Sequence, residues 1–594
     1  MAAVLIYLTI GLPWLGAVIV WLAGRKRLAF HSTARLQNSL AVGFSVAAGI
    51  ASVVLIAFAT SQTVVRIPMG DYFGDLTFVP NGLGVFLAAI ASVIGCLAVI
   101  FSIDYMQRDP QLARYYFMVL FFIGAMNGLV LSGSLLFMFV FWEITALCSY
   151  GLISYYNDDP KAVAGGIKAL VITQLGGVGL LALALLSYTS FGSYEIDVFL
   201  LKAGTLLPWV LSAAAFGLLI AAAAKSAQVP FHTWLPDAME APTPVSALIH
   251  AATMVNAGVY VLARFYPAFS AVPYWKLAVI AVGVVSVVLA ALMAMVATDL
   301  KRVLAYSTIS QLGYMVYAVG VGGVFASQFH LLSHAVFKAL LFLGAGAVIH
   351  MLETRDMRRM GHDRVKMPFV RVVFVIGALA LAGIPILNGF WSKELVLEAG
   401  LIGGPRWAYL LALFAAGLTA FYTFRAVWMV FFAESSGATQ TPLHEAHDAP
   451  RAMRWALAPL AFGALTTWLL AGPFSQLLNS TMPGEPGEPL TTIEMVTEVL
   501  RAPATWVALL VIALGLATWW GRSRLTWLSR RTAWLAAWAE AGFGFESVNQ
   551  WIADQACGAA AGLAVLQTGQ LNWNLVGFVA GLLVVLTWLA WVMF

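Results

Sequence analysis

Charge is the scarcest feature of this 594-residue sequence: 10% of its residues are charged, whereas 61% are hydrophobic. Soluble domains are about half apolar and about a quarter charged. So large a deficit of charge excludes an ordinary soluble enzyme before any motif is considered. The composition therefore predicts an integral membrane protein embedded in a lipid bilayer.

Cysteine is also nearly absent. Cys96, Cys148 and Cys557 lie far apart, and no CxxC pair occurs, so neither a metal cluster nor a disulfide framework is indicated. Glycine-rich nucleotide fingerprints are missing as well, and we expect no cofactor in this chain. The net charge of +5 does not predict nucleic-acid binding, because the basic residues gather in short loops between apolar stretches. The first apolar stretch has no basic residue before it, so no cleavable signal peptide is expected.

Long apolar runs fill most of the chain. A membrane-spanning helix needs about 20 mostly apolar residues, and by this rule the fold class is an all-α integral membrane protein with about 16 transmembrane helices. We place them near 3–23, 39–60, 80–102, 114–133, 134–156, 162–188, 205–227, 243–266, 273–296, 299–322, 323–350, 367–400, 406–433, 453–472, 503–520 and 573–594. Basic residues are roughly threefold more frequent in loops after odd-numbered helices, which predicts that both termini face outside.

A small set of ionisable residues lies inside the predicted spans. A charge at the bilayer centre costs about 2.5–3.5 kcal/mol on insertion scales, so such residues face protein or water and suggest an ion path. The set comprises Glu143, Lys168, Lys225, His250, His330, His334, Lys338, Lys393 and Arg425. We interpret Lys168 and Arg425 as structural or accessory.

Some of these residues also have a simpler interpretation. Lys225 ends an apolar run and could snorkel from a helix end, whereas Glu143 is central in its span, where a structural ion pair is the alternative. His330, His334 and Lys338 are spaced i, i+4, i+8, which places them on one helix face. Histidine titrates near neutral pH, so this row could exchange protons at modest cost. A metal site on the two histidines is the weaker alternative, since no carboxylate or cysteine accompanies them.

Helix breakers occur beside two of the lysines. Pro385 and Gly389 precede Lys393, and Lys225 is followed by Pro230, Pro236, Pro242 and Pro244. Interrupted helices are tolerated in lipid only where their backbone is buried or lines a cavity, and a pair of them points to an inverted-repeat transporter. Their separation predicts two inverted five-helix repeats, each with a broken helix. The predicted domains are 1–110, 111–270, 271–435 and 436–594, the last with a short interfacial segment.

Three motifs carry a family resemblance: KSAQVPFHTWLPDAMEAPTPVSALIHAATMVNAGVYVLAR, DLKRVLAYSTISQLGYM and FHLLSHAVFKALLFLGAGAVIH. They resemble the antiporter-like subunits of respiratory complex I, most of all the L-type subunit (NADH-quinone oxidoreductase subunit L), and the related A subunit of Mrp cation/proton antiporters. The resemblance covers roughly residues 80–430 and implies proton translocation. It also implies the inner (plasma) membrane of a prokaryote.

The resemblance assigns roles to individual residues. Glu143 matches the glutamate that pairs with the lysine of the first broken helix, here Lys225, and Lys338 matches the central lysine. Lys393 matches the lysine of the second broken helix, near the proposed exit. The connecting histidines are matched by His250, His330 and His334. Separation of Glu143 from Lys225 is expected to drive a proton laterally towards Lys338 and Lys393.

The sequence also departs from the complex I pattern. Gln174 and Gly177 replace an arginine and an aspartate of the L-type subunit, as in the Mrp type, and Asn81 stands where an aspartate is common. Only about a dozen residues separate FGFESVNQWI from LQTGQLNWN, the landmarks that flank the long lateral helix of the L-type subunit. Either that helix is absent or reduced, or 521–572 is a different interfacial element.

Three functions therefore stay open. The leading one is a proton-pumping subunit of a complex I-like assembly, with other membrane subunits and a redox or other soluble module as partners. The second is an Mrp-type Na⁺(K⁺)/H⁺ antiporter subunit. The third is the membrane ion-coupling subunit of an inorganic-carbon uptake complex. In each case the chain lacks a redox site of its own.

Overall fold

The computed structural model describes residues 1–25, 30–61, 63–434, 448–481, 489–566 and 580–581. In this described part, 13 helices are long and apolar enough to cross a membrane, so the chain is a multi-pass helical membrane protein. The predicted last span, near 573–594, lies outside the described residues apart from 580–581. The chain divides into two units, Met1–Ala536 and Ala537–Phe594.

The first unit begins with three long helices, α1 (Ala2–Gly24), α2 (Phe30–Ile56) and α3 (Gly82–Tyr105). An antiparallel hairpin, β1 (Val65–Pro68) and β2 (Asp75–Phe78), separates α2 from α3. The prediction of an all-α chain did not include this hairpin. Its strands are too short to give a recognisable strand pattern in the sequence. The turn between them contains Gly70 and Gly74, whose φ angles of 98° and 67° favour glycine.

The next stretch carries the first broken helix. Its helices are α4 (Leu112–Leu131), α5 (Leu135–Ile153), α6 (Pro160–Phe191), α7 (Ile196–Lys202), α8 (Pro208–Lys225), α9 (Trp234–Asp237), α10 (Thr243–Ala247) and α11 (Met254–Phe269). Helix α8 ends at Lys225, and two 3₁₀ turns with α9 replace the regular helix up to Glu240. Prolines in this segment remove backbone donors and prevent a continuous helix.

A π-helical turn, Leu248–Ala252, joins α10 to α11. Such turns leave carbonyl groups without their usual partners. Here Thr253 Oγ1 donates to the carbonyl of Leu248 at 2.6 Å, and Asn256 Nδ2 donates to that of Ala251 at 3.0 Å. Two carbonyl groups of the turn are therefore bonded by side chains of α11 and its N-cap, and His250 lies at the centre of the turn.

The second broken helix follows in α12 (Trp275–Val296), α13 (Leu300–Gly320), α14 (Val324–Leu352), α15 (Pro368–Ala382), α16 (Asn388–Gly403) and α17 (Arg406–Phe431). The predicted span 367–400 contains the second break, between α15 and α16 around Pro385, where the sequence predicts an interrupted helix. Helix α13 matches the predicted span 299–322 but is not among the 13 apolar helices, since it carries polar residues such as Ser307 and Gln311.

The remaining helices are α18 (Arg451–Thr466), α19 (Ala471–Thr481), α20 (Thr492–Arg501), α21 (Pro503–Trp520), α22 (Thr526–Arg531), α23 (Ala533–Glu540) and α24 (Phe545–Leu566). A capping box of Thr491 and Glu494 starts α20, and α21 packs against α17. The predicted interfacial segment thus begins with two short helices, α22 and α23, and continues as the 22-residue helix α24.

Candidate functional site

Lys225 lies near Glu143, where α8 ends beside α5. Lys225 is fully buried, and its Nζ donates to the main-chain carbonyl of Trp142 at 2.8 Å and lies 4.8 Å from the centroid of the Trp142 ring. Oε1 of Glu143 is buried without a hydrogen-bond partner among the described residues. The amine thus bonds to the main chain next to Glu143, and within the described part of the chain no ion pair joins Lys225 to Glu143.

The two residues that depart from the L-type pattern both lie next to Glu143. Gln174 is close to its carboxylate. A Cβ built on Gly177 would lie 2.6 Å from Glu143 Oε1 and 3.4 Å from Trp142 Nε1. A glycine at 177 therefore lets the carboxylate approach the backbone of α6.

His250 links the break after Lys225 to the middle of the bundle. Its ring centroid lies 6.2 Å from that of Trp234 and 6.2 Å from that of Phe342. Trp234 in turn donates from Nε1 to the carbonyl of Ala224, at 3.0 Å, beside Lys225. Neither ring nitrogen of His250 has a partner among the described residues.

His330, His334 and Lys338 all lie on α14, as their spacing predicts, and all three are fully buried. The ring of His334 lies beside the main chain of Ala251, next to His250. Lys338 Nζ donates to the carbonyl of Leu304 at 3.1 Å and to the hydroxyl of Ser307. The central lysine is therefore held by neutral oxygens of α13.

His330 connects α13 to the second break. Its Nε2 lies 3.1 Å from Oε1 of Gln311, and its Nδ1 lies 3.0 Å from Oγ of Ser392. Ser392 precedes Lys393, whose buried Nζ donates to the carbonyl of Leu381 at 2.8 Å. That carbonyl belongs to the last turn of α15, where the partial negative charge of a helix C-terminus favours a cation.

Four residues around this row were missed from the sequence: Ser307, Gln311, Ser392 and Glu394. Glu394 is only 2% exposed, and neither carboxylate oxygen has a hydrogen-bond partner among the described residues. Its position directly after Lys393 was the available signal. The other three carry neutral polar groups, which sequence reasoning from charge alone passes over.

Lys168 and Arg425 form bonds between other segments of the bundle. Lys168 Nζ lies 2.8 Å from Asp237 Oδ2, and Arg302 Nη2 lies 3.1 Å from Asp237 Oδ1. These pairs tie the segment after the first break to α6 and α13. Arg425 donates from Nη1 to the carbonyl of Ala297 at 2.8 Å.

The two histidines that suggested a metal site do not gather further ligands. In the ranges that the structure describes, no group of three or more His, Cys, Asp or Glu side chains is arranged to hold a metal ion. What the site offers is a row of buried amines bonded to carbonyls and a hydroxyl, together with three buried imidazoles, of which His330 bonds to a hydroxyl and an amide. Such groups are suited to holding and passing protons.

Fold and site together define the class: polytopic helical membrane proteins with buried lysines and histidines on and between interrupted helices. Residues 132–419 match the family model for NADH:quinone oxidoreductase/Mrp antiporter transmembrane subunits. Residues 67–116 match that for the N-terminus of chain 5 of NADH-ubiquinone oxidoreductase (complex I). NADH-quinone oxidoreductase subunit L of Mycobacterium tuberculosis is 38% identical over 526 residues, which are 86% of this chain and 81% of the relative. The chain therefore belongs to this antiporter-like family, and the predicted resemblance is confirmed.

Two solved structures share the fold. A chain of the Mrp complex from Dietzia sp. superposes with a TM-score of 0.81 and 30% identity, over 99% of this chain. This chain covers 63% of the length of the Dietzia chain. A chain of the membrane-bound sulfane sulfur reductase, an archaeal respiratory membrane complex, gives a TM-score of 0.71 and 25% identity, over 83% of this chain and 99% of the other.

Proposed function

We propose that the chain is a proton-translocating membrane subunit of a complex I-like respiratory assembly. The proposed proton path comprises Glu143, Lys225, His250, His330, His334, Lys338 and Lys393. Support comes from relatives named as subunits of quinone oxidoreductases and from neighbours in the Mrp and sulfane sulfur reductase complexes. Other membrane subunits and a redox module are the expected partners, since the proposed path contains no redox group.

The architecture that goes with this function is two inverted repeats, 111–270 and 271–435, after helices in 1–110 and before those in 436–594. Each repeat contains one broken helix, and the full chain has about 16 spans. The protein lies in the inner membrane of a prokaryote with both termini outside. The breaks after Lys225 and before Lys393 support this division.

The single observation that carries the proposal is the bonding of His330. As a neutral ring, it donates from Nε2 to Gln311 Oε1 and accepts from Ser392 Oγ. As an imidazolium, it donates to both oxygens, and the Ser392 hydroxyl then donates to the carbonyl of Asn388, 3.0 Å away. Both charge states are therefore satisfied by the same neighbours, which is what a proton carrier requires.

The lysines follow the same principle. Lys225, Lys338 and Lys393 each donate to a main-chain carbonyl, and either form of an amine can make that bond. A proton can thus leave without breaking a buried ion pair, a step that costs several kcal/mol. Movement of Glu143 relative to Lys225 changes the cost of charge on that lysine and drives the proton towards Lys338.

The test is proton transport by the purified assembly in liposomes with a pH-sensitive dye. We expect Lys225→Ala and Lys338→Ala to abolish coupled transport while the complex still assembles. Lys202→Ala, which removes an exposed lysine at the end of α7, is the matched control and is expected to transport normally. Wild-type transport by both buried-lysine variants would rule out this path.

An Mrp-type Na⁺(K⁺)/H⁺ exchanger subunit is the second candidate. The observation that favours it is the glycine at 177, together with similarity to the Dietzia chain over nearly the whole length. Mass spectrometry of the co-purified subunits separates the two. Flavin or iron–sulfur subunits support the respiratory assembly, whereas small membrane subunits alone, with Na⁺- or K⁺-dependent proton movement, support exchange.

A further inference from the structure

A cavity of about 210 Å³ lies at one end of the helices, apart from the buried row. We call it the Arg264 cavity and define it by six of the polar residues that line it, Thr60, Ser61, Asn81, Asp197, Arg264 and Thr481. These residues come from the turn after α2, the start of α3, α7, α11 and the end of α19. Its volume far exceeds the space that one water needs.

Arg264 lines this cavity as a buried cation that forms no ion pair among the described residues. It is 8% exposed, and its Nη1 bonds to the hydroxyl of Tyr260, which donates to the carbonyl of Val130 at 2.7 Å. A guanidinium has five N–H donors, and within the described part of the chain no carboxylate forms an ion pair with Arg264. Because burial of an unpaired charge costs free energy, the Arg264 guanidinium favours binding of an anionic group.

Two further polar groups in the cavity wall lack a partner. Asn81 Oδ1 accepts from the amide of Gly84 at 2.8 Å and so caps α3, which fixes its Nδ2 on the other side. That Nδ2 and the Oγ of Ser61 are buried without a hydrogen-bond partner among the described residues. Guanidinium, amide and hydroxyl donors around one cavity suit the oxygens of a phosphate.

Asp197 adds a negative charge to the same lining. A ligand with negative charge alone makes no favourable contact with Asp197, whereas a zwitterionic ligand can pair with both Asp197 and Arg264. Leu200 also lines the cavity, and its neighbour Leu201 is 83% exposed, an apolar surface that an acyl chain would cover.

We propose that the Arg264 cavity binds a phosphoethanolamine group, with its phosphate on Arg264, Asn81 and Ser61 and its ammonium on Asp197. The adjoining apolar surface favours phosphatidylethanolamine as the source over a soluble phosphoethanolamine. Phosphatidylcholine carries the same phosphate but a quaternary ammonium without N–H donors, so it binds more weakly.

The experiment is native mass spectrometry of the full chain in its purified assembly. The assembly is taken from nanodiscs containing equal amounts of phosphatidylethanolamine and phosphatidylcholine. We expect one phosphatidylethanolamine to be retained, at about tenfold preference over phosphatidylcholine. Asn81→Asp keeps the helix cap but places a second carboxylate in the wall of the cavity, and it is expected to weaken retention about tenfold or more. Arg66→Gln, which removes an exposed arginine on β1, is the matched control.

Two further measurements test the role of Asp197 and the source of the phosphoethanolamine group. Asp197→Asn should remove the preference for ethanolamine and leave phosphate binding. Soluble phosphoethanolamine is added in phosphatidylcholine nanodiscs: if it binds wild type but not Asn81→Asp, the site is upheld with a soluble source. Equal retention of every phosphate probe by wild type and a folded Asn81→Asp would overturn the proposal, with folding checked by thermal melting.

Discussion

Gly177 sets the position of Glu143. A Cβ at residue 177 would lie 2.6 Å from Oε1 of Glu143, closer than real Cβ atoms approach. The glycine is on α6 and the glutamate on α5, so the contact fixes how deeply the carboxylate sits between these helices. Because the clashing atom is the end of a flexible side chain, a methyl group at 177 moves the carboxylate rather than the backbone.

We therefore predict that Gly177→Ala separates folding from transport. Alanine is about 1 kcal/mol better than glycine in a helix, so thermal stability should be unchanged or slightly higher. Proton transport should fall several-fold, since Glu143 is displaced beside Lys225. Gly43→Ala is the control, because a Cβ at Gly43 on α2 meets no atom within 4 Å. Full transport by Gly177→Ala would show that the exact place of the carboxylate does not matter.

The sequence was enough to predict the helical membrane class and the burial of the lysines and histidines of the row. That the row carries protons stays a prediction. Spacing alone placed His330, His334 and Lys338 on one face, and prolines marked both breaks. The partners of the lysines could not be predicted. The bond from Lys225 to Trp142 joins residues 83 positions apart, and such contacts depend on how helices pack. The hydroxyl and amide residues of α13 are typical of an exposed helix surface in the sequence. Only the packing of the helices shows that they face the interior.

Ser392 bonds through its hydroxyl to His330 and directly precedes Lys393. This hydroxyl is the next group to test by substitution. Ser392→Ala deletes the contact at 3.0 Å to Nδ1 without removing a charge. A hydrogen bond contributes about 0.5–1.5 kcal/mol, so we expect transport to slow roughly three- to tenfold while assembly is retained. The rate is measured in liposomes at several pH values.

Ser52→Ala serves as the control for Ser392→Ala. Ser52 is also buried, but its hydroxyl donates to the carbonyl of Gly49 within α2, at 2.8 Å. Its loss should leave transport unchanged. If the two variants behaved alike, Ser392 would have a packing role only.

The ion pair of Lys168 and Asp237 is expected to contribute little to stability. The two side chains are 21% and 33% exposed and 2.8 Å apart, and pairs open to solvent give about 0.2–1 kcal/mol. A double-mutant cycle of Lys168→Gln and Asp237→Asn, unfolded in mixed micelles, should return a coupling energy in that range. A coupling above ~2 kcal/mol would mean that the pair is effectively buried.

Glu394 offers a prediction in which stability and transport change in opposite directions. Its carboxylate is 2% exposed without a hydrogen-bond partner among the described residues, and burial of a charge is costly. Glu394→Gln should therefore melt at the same temperature as wild type or higher. Its negative charge also favours the charged form of the adjacent Lys393, so its loss should make proton arrival at Lys393 less favourable and slow transport. Glu398→Gln is the control, because Glu398 lies one turn further along α16 and is less buried. It should have a smaller effect on both stability and transport.

Two outcomes would contradict this prediction. Normal transport by Glu394→Gln would place the Glu394 carboxylate outside the proton path. A melting temperature well below that of wild type would show that the Glu394 carboxylate makes a stabilising bond in the folded protein.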